Sequence, residues 1–273
     1  MADIKNLFSL KGKSALVTGA TGILGQSFCR ALAANGANVA VVDLKLEDVS
    51  KLSKELAGEF GVSSMGLVCD VSDPKSVAEM TKKAVKDLGG IHILHNNAAT
   101  KTGNLGDFFA STESYSLQTW NEIMSVNLGG MFLVAQAVGK HMVESGRGGS
   151  IIQTASIYGC VGPDQRIYEG SHYMGIEINT PAVYSASKAG VIGLTKYLAT
   201  LWGAKGVRVN TLTPGGVQSG QNETFISKYS SRVPLGRMAE PQEMLGALVF
   251  LASDASSYVT GQNLIVDGGL SAW

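Results

Sequence analysis

The feature that most constrains the fold is an alternation, along the whole chain, of short apolar runs with longer amphipathic stretches. The apolar runs predict seven β-strands, at residues 14–18, 38–43, 64–70, 91–95, 150–154, 207–212 and 263–266. The stretches between them predict α-helices, at residues 23–35, 47–60, 74–88, 117–145, 182–203 and 241–252. Strands that alternate with helices are typical of a parallel sheet with helices on both faces. We therefore expect an α/β fold built on one doubly wound, mostly parallel sheet.

Composition narrows the class of protein. The chain has 273 residues, of which 45% are hydrophobic and 16% are charged, and this is too apolar for a disordered chain. Lys plus Arg and Asp plus Glu both number 22, so the formal net charge is zero and a nucleic-acid partner is not expected. No linker, charge block or repeat divides the sequence. We therefore expect one domain over residues 1–273.

The sequence also indicates the cellular compartment of the protein. No apolar run approaches the roughly 18 residues that a membrane span requires, and residues 1–5 lack the apolar core of a signal peptide. The three cysteines are widely spaced and form no CxxC pair, so they predict no disulfide framework. We expect a cytoplasmic protein without a membrane partner.

A glycine-rich segment follows the first predicted strand and begins the first helix. Gly19, Gly22 and Gly25 let the chain turn tightly, so that backbone N–H groups and the helix N-terminus face a pyrophosphate. Asp43 ends the second predicted strand, where a carboxylate accepts hydrogen bonds from the ribose hydroxyls of an adenosine and repels a 2′-phosphate. These residues predict a dinucleotide site that prefers NAD to NADP. The alternatives are a glycine-rich turn without a ligand and an Asp43 that only caps a helix.

Tyr184 and Lys188 are four residues apart in a predicted helix, so they lie on one helix face. Among the eight tyrosines, Tyr184 alone has a lysine at this distance. A nearby ammonium lowers the pKa of a phenol, which can then exchange a proton with a hydroxyl or carbonyl near neutral pH. Such a pair also occurs on exposed helix faces, and the surrounding motifs favour the chemical interpretation.

Together with further segments in a fixed order, these motifs make the chain similar to the short-chain dehydrogenase/reductase family over nearly its whole length. The segments are residues 18–25, Asp70-Val71, residues 96–99, Asn127, Ser156, Tyr184 with Lys188, Pro214-Gly215 and residues 261–269. The resemblance implies a Rossmann-type sheet, a nicotinamide cofactor and a homotetramer.

The resemblance also implies roles for individual residues. Tyr184 would be the general acid/base, and Lys188 would bind the nicotinamide ribose and lower the pKa of Tyr184. Ser156 would hydrogen-bond the reacting oxygen, and Asn127 would hold a water of the proton relay. The implied cofactor-binding residues are Gly19, Thr21, Gly22, Ile23, Leu24, Asp43, Asp70, Val71, Asn97, Ala98, Ala99, Tyr184, Lys188, Pro214, Gly215 and Val217.

Three features depart from the family pattern. The glycines are spaced G-x-x-G-x-x-G rather than G-x-x-x-G-x-G, and Ala99 stands where family members often have glycine. Ser156 and Tyr184 are 28 residues apart, further than is usual, because of an insertion at about residues 164–179. Both ends of this insertion lie at the predicted reaction centre, so we expect it to help form the substrate site. A lid or an oligomer contact is the alternative.

The insertion bears on the substrate. Arg166, Tyr168, Glu169, His172 and Tyr173 make it polar and aromatic, which suits a hydroxylated or anionic substrate better than a steroid or a long acyl chain. Arg166 is expected to pair with a substrate carboxylate. The prediction is an NAD-dependent oxidoreductase that interconverts a secondary alcohol and a ketone on a sugar, sugar acid or polyol. A 3-oxoacyl thioester reductase and a non-catalytic dinucleotide-sensing protein are the alternatives.

Two further segments resemble known regions of the family. Residues 216–233 resemble its substrate lid, and residues 261–273 resemble its tetramer contact. The four histidines show no metal-ligand spacing, so no metal is expected.

Overall fold

The computed structural model describes residues 4–273, apart from the side chain of Lys5. The expectation about residues 1–5 therefore falls partly on residues 1–3, which lie outside the described residues. The strands are β1 (Ser14–Thr18), β2 (Asn38–Asp43), β3 (Ser64–Val68), β4 (Ile93–Asn96), β5 (Gly149–Thr154), β6 (His172–Tyr173), β7 (Ile176–Glu177), β8 (Val207–Pro214) and β9 (Asn263–Val266). The α-helices are α1 (Ile4–Leu7), α2 (Ile23–Ala34), α3 (Leu46–Phe60), α4 (Pro74–Leu88), α5 (Leu105–Phe108), α6 (Leu117–Met124), α7 (Met131–Glu144), α8 (Ala182–Trp202), α9 (Glu223–Ser230) and α10 (Leu245–Ala252).

A seven-stranded parallel sheet lies at the centre, in the order β3-β2-β1-β4-β5-β8-β9. Successive residues of a strand point to opposite faces, and β1 shows the result. Ala15 and Val17 pack with α2, α3 and α10, whereas Leu16 packs on the other face with α4, α7 and α8. Both faces are covered, which explains why the strand sequences are almost continuously apolar. The predicted Rossmann-type α/β fold is confirmed.

Local sequence signals set the ends of α4. Asp73 caps its start, where the carboxylate accepts hydrogen bonds from the N–H groups of Lys75 and Ser76, and Pro74 occupies the first turn. Gly89 ends the helix in the left-handed region, at a φ of +73°.

Several boundaries differ from the predicted ones. The fourth strand begins at Ile93 rather than at residue 91, because the Ile91 N–H donates to Nε2 of His141. The predicted helix at residues 241–252 begins as a 3-10 turn at Pro241–Met244, and α10 follows it.

The predicted helix at residues 117–145 consists of α6, a π-helical turn at Ser125–Gly130, and α7. By length and composition alone, the helical run Leu117–Glu144 would suffice to cross a membrane. Its residues Val134, Val138 and Met142 are fully buried against the sheet, however, as in a core helix.

The insertion forms a small unit beside the carboxyl ends of the strands. A 3-10 turn at Gln165–Tyr168 is followed by the antiparallel hairpin β6–β7. The two residues of the hairpin turn, Met174 and Gly175, both have positive φ. Ile167 and Tyr168 of the 3-10 turn pack against α9 in a third apolar cluster, which also includes Phe225, Tyr229, Val233 and Met238. The insertion and the segment predicted as a lid thus share one core.

Candidate active site

The strand order of the sheet reverses between β1 and β4, and their carboxyl ends open the kind of crevice that binds dinucleotides. Gly19 follows β1 with a φ of +61°, and a Cβ there would lie 2.8 Å from Cα of Ala98, which follows β4. A Cβ on Gly25 would overlap the carbonyl oxygen of Gly19. Glycine at these two positions therefore allows the loop to pack against both its own helix and the neighbouring strand end.

The N-terminus of α2 is open to a ligand. Gly22 occupies the capping position and supplies no side-chain acceptor for the first N–H groups of the helix. These groups and the positive end of the helix dipole attract an anion. The loop therefore fits the pyrophosphate of a dinucleotide.

Thr18 ties the two loops of the crevice together. Its Oγ1 accepts hydrogen bonds from the N–H groups of Asn97, at 3.0 Å, and Ala98, at 3.1 Å. The same hydroxyl donates to Oδ1 of Asn96, at 3.2 Å. The Asn97 side chain donates back to the carbonyl of Gly19, at 3.2 Å. The crevice is therefore fixed by hydrogen bonds before any ligand binds.

Asp43 lies at the end of β2, beside the glycine loop. Its Oδ2 accepts hydrogen bonds from the N–H of Thr21, at 2.9 Å, and from Oγ1 of Thr21, at 2.7 Å. Its Oδ1 accepts from the N–H of Leu44, at 2.8 Å. The carboxylate is thus held at the loop, where the prediction placed a ribose.

Asp70 and Val71 follow β3 on the far side of the crevice. Oδ1 of Asp70 accepts hydrogen bonds from the N–H and the hydroxyl of Ser72, so this carboxylate stabilises a turn. Val71 is buried against Gly130. The predicted contacts of both residues with adenine stay predictions.

Tyr184, Lys188 and Ser156 come together where β5 and α8 meet. Nζ of Lys188 lies 5.9 Å from the centre of the Tyr184 ring and donates to the carbonyl of Thr154, at 2.9 Å. Ser156 is the second residue after the end of β5. The hydroxyl oxygen of Ser156 accepts a hydrogen bond from the N–H of Tyr158, at 3.3 Å. That contact leaves the hydroxyl proton free to be donated.

Burial controls the protonation of this group. It raises the pKa of Tyr184 above its ordinary value, while a hydrogen bond with Ser156 acts in the opposite direction. Burial also lowers the pKa of Lys188 from 10.5 to about 8. At neutral pH Lys188 is an ammonium and Tyr184 is a protonated phenol. Burial therefore dominates the pKa of Tyr184 here, and the lowering by Lys188 stays a prediction.

Asn127 is fully buried in the π-helical turn. Its Oδ1 accepts the N–H of Thr100, at 2.8 Å, and its Nδ2 approaches the carbonyl of Thr100, at 3.4 Å. Turns of this kind are frequent at functional sites. Asn127 thus anchors the chain that follows β4, and its predicted role in a proton relay stays a prediction.

Two cavities meet at Tyr184. The first has a volume of about 310 Å³, and its predicted cofactor or catalytic residues are Ile23, Leu24, Asn97, Ala99, Ser156, Tyr184, Lys188, Pro214, Gly215 and Val217. The second has a volume of about 240 Å³ and is lined by parts of the insertion and of the segment at residues 216–233. We call them the cofactor cavity and the substrate cavity. The residues that line both, and form the neck between them, are Lys101, Ser156, Tyr184, Gly215 and Ser219.

Arg166 was expected to pair with a substrate carboxylate, but it pairs with Asp164. Its Nε and Nη2 donate to the two carboxylate oxygens of Asp164, each at 2.8 Å. The arginine is highly exposed and does not line the substrate cavity. The short turn at Gln165–Tyr168 brings the two side chains together, so the carboxylate that Arg166 binds is its own neighbour.

Two residues of the site, Lys101 and Tyr229, were not predicted from the sequence. Lys101 lines the neck, and the hydroxyl of Tyr229 accepts the N–H of Gly216 in the wall of the substrate cavity. The position of Lys101, a few residues after the end of β4, was a usable signal. Tyr229 gave none, because its contact depends on how α9 packs.

Comparison with known proteins identifies the family. Residues 19–271 match the family model described as "Enoyl-(Acyl carrier protein) reductase". D-threitol dehydrogenase of Mycolicibacterium smegmatis is 39% identical, over 96% of this chain and 94% of that protein. The 3-oxoacyl-(acyl-carrier-protein) reductase of Thermotoga maritima is 35% identical, over 96% and 98%. A crystal structure of a gluconate 5-dehydrogenase from Burkholderia cenocepacia, in complex with NADP and tartrate, is 32% identical with a TM-score of 0.87 and covers 98% of each chain.

The chain belongs to the short-chain dehydrogenase/reductase family, as its motifs predicted. It is an oxidoreductase with a dinucleotide-binding fold, so this part of the functional prediction is confirmed.

Proposed function

We propose that the chain is an NAD-dependent dehydrogenase that interconverts a secondary alcohol and a ketone on a small, polar, carbohydrate-like substrate. The observation that carries this proposal is the neck, where Tyr184 and Ser156 face both the cofactor cavity and the substrate cavity. A reacting carbon in the neck can meet a nicotinamide on one side and a proton donor on the other.

A nicotinamide supplies the hydride chemistry when it is bound in the cofactor cavity. In the reducing direction, Tyr184 donates its proton to the ketone oxygen, and Ser156 donates a hydrogen bond that stabilises the developing oxyanion. Lys188 is a buried ammonium beside Tyr184 and holds positive charge against the oxygen that is losing its proton. Asn127 anchors Thr100 and, in this proposal, the water of the proton relay.

The preference for NAD rests on Asp43. A carboxylate held beside the loop by Thr21 offers its oxygens to ribose hydroxyls and repels a 2′-phosphate. The predicted cofactor contacts of Gly19, Thr21, Gly22, Asp70 and Val71 belong to the same proposal.

The polar substrate class rests on polar residues in the lining of the substrate cavity, which include Tyr158, Tyr173, Thr180 and Gln221. Names of relatives point the same way, since they include threitol and gluconate 5-dehydrogenases. We propose that the insertion and the segment at residues 216–233 act as substrate-binding elements of a single catalytic domain.

We also propose a cytoplasmic homotetramer. The cysteines of the chain are unpaired, as expected in a reducing compartment. Apolar side chains are exposed on the helical layer at Leu117, Phe132 and Leu201, and near the C-terminus at Ile265 and Trp273. Two such faces suit contacts with two other subunits.

The test follows the absorbance of reduced nicotinamide with NAD and NADP in parallel, using polyols, sugar acids and 3-oxoacyl substrates. We expect turnover of a carbohydrate with NAD, and a loss of at least about 100-fold in kcat for Tyr184→Phe, because general acid–base catalysis contributes on this scale. Asp43→Ser should shift the preference toward NADP. Faster turnover of 3-oxoacyl substrates, or a wild-type preference for NADP, would contradict the corresponding part of the proposal.

A further inference from the structure

Lys101 is the cationic residue in the lining of the substrate cavity. Among residues 4–273, this lining includes no aspartate or glutamate. A cavity that served only neutral polyols would need no cation, since hydroxyls and amides suffice to bind hydroxyl groups.

Lys101 stands at the neck. It lines both cavities, as Tyr184 and Ser156 do. Its Nζ lies 5.1 Å from the centre of the Tyr173 ring, on the hairpin β6–β7. The ring attracts the cation and thereby links the insertion to the chain that follows β4.

Among residues 4–273, no aspartate or glutamate forms an ion pair with Lys101. Its pKa is lowered, and desolvation is the cause. Lys101 is an exposed residue, and its ammonium has no anionic partner within the described residues, so its charge is available to an anionic ligand.

We propose that Lys101 binds an anionic group of the hydroxylated substrate, a carboxylate or a phosphate, and so makes the enzyme select sugar acids or sugar phosphates over neutral polyols. This inference rests on the proposed function and adds the charge of the substrate to it. Tyr173 is a positioning residue, because its ring holds the ammonium over the neck.

The experiment compares D-sorbitol, D-gluconate and D-sorbitol 6-phosphate, together with the corresponding compounds of the xylose series. Steady-state kinetics give kcat/KM for each compound, and calorimetric titration of the NADH complex gives each Kd. The variants are Lys101→Gln, which removes the charge, and Lys101→Arg, which keeps it. Lys82→Gln, at an exposed position on α4, is the matched control for loss of a surface charge.

We expect the wild type to favour at least one anion over the matched polyol. In Lys101→Gln the ratio of anionic to neutral kcat/KM should fall by about ten-fold or more, as expected for a lost charge-assisted hydrogen bond. Lys101→Arg should restore much of the ratio, and Lys82→Gln should leave it at the wild-type value. The anion with the larger loss identifies the group, carboxylate or phosphate.

Three results would overturn the proposal: a wild type that prefers neutral polyols, a ratio that Lys101→Gln leaves unchanged, or a loss confined to NADH binding. In each of these cases the proposed dehydrogenase function would still stand. If no compound is turned over at all, the proposed function fails. In that case, the Kd values of the anion and the polyol, measured by calorimetry, decide whether Lys101 binds the anionic group.

Discussion

The cofactor side and the substrate side of this molecule are built in different ways. On the cofactor side, the loops after β1 and β4 are tied together by Thr18 and by glycines that leave no room for a side chain. On the substrate side, the insertion and α9 rest on an apolar cluster of their own, distinct from the two clusters that flank the sheet. The first side is part of the sheet, and the second is added to it.

This difference explains how one fold can bind many different substrates. A change on the cofactor side disturbs the backbone at the strand ends and therefore the whole sheet. A change on the substrate side disturbs a small core that the sheet does not need. Substitutions on the cofactor side should therefore lower the stability of the whole fold. Substitutions on the substrate side should mainly weaken substrate binding.

The largest effect is expected for Gly25→Ala. The added methyl group would overlap the carbonyl oxygen of Gly19, and backbone cannot move aside as a flexible side chain can. Overpacking of this kind costs about 1–3 kcal/mol or more, so we expect a Tm at least several degrees lower and a loss of NADH binding. Thermal unfolding and a fluorescence titration with NADH measure both.

The matched control is Gly58→Ala, inside α3, where a Cβ would meet no atom within 4 Å. Alanine is the better helix former, and this variant should be more stable by up to about 1 kcal/mol. A Gly25→Ala protein with wild-type Tm and NADH affinity would show that the cofactor side is not fixed by its backbone.

The next effect concerns Lys188, which lines the cofactor cavity beside Tyr184. Its pKa is lowered by burial from 10.5 to about 8, so the charged form is disfavoured in the folded state. Below pH 8 this group destabilises the fold, and the penalty is relieved as the pH rises from about 8 to 10.5. Lys188→Met should therefore abolish activity and yet raise stability at pH 7 by on the order of 2 kcal/mol, after allowing for the lost hydrogen bond to Thr154.

Urea unfolding of the wild type and Lys188→Met at pH 7 and pH 10 checks the sign. The stability difference between them should shrink at the higher pH. An equal difference at both values, or a less stable variant at pH 7, would contradict the desolvation argument.

The smallest effect is expected for Tyr229→Phe, on the substrate side. The change removes the oxygen that accepts the N–H of Gly216 in the wall of the substrate cavity. The Gly216 donor is only partly buried, so leaving it unpaired should cost at most about 1 kcal/mol, and KM for the sugar substrate should rise several-fold while Kd for NADH stays the same. The exposed Tyr258→Phe should change neither value. An equal weakening of NADH binding by Tyr229→Phe would mean that the two sides are not separate.

The fold class, the family and the order of the seven strands along the chain could all be predicted from sequence patterns. The reason is physical, because strand periodicity, glycine requirements and the Tyr184–Lys188 spacing are all local properties of the chain. The resemblance to the family, carried by these motifs, also identified most of the residues that line the cofactor cavity.

The substrate side depends on tertiary packing. The pairing of Arg166 with Asp164 is local, but the exposure of this arginine depends on how the insertion packs. The insertion also placed Tyr173 against Lys101, and burial raised the pKa of Tyr184. These outcomes depend on contacts between segments that are distant in sequence or on how much water remains around a group, and neither quantity is encoded by spacing along the chain.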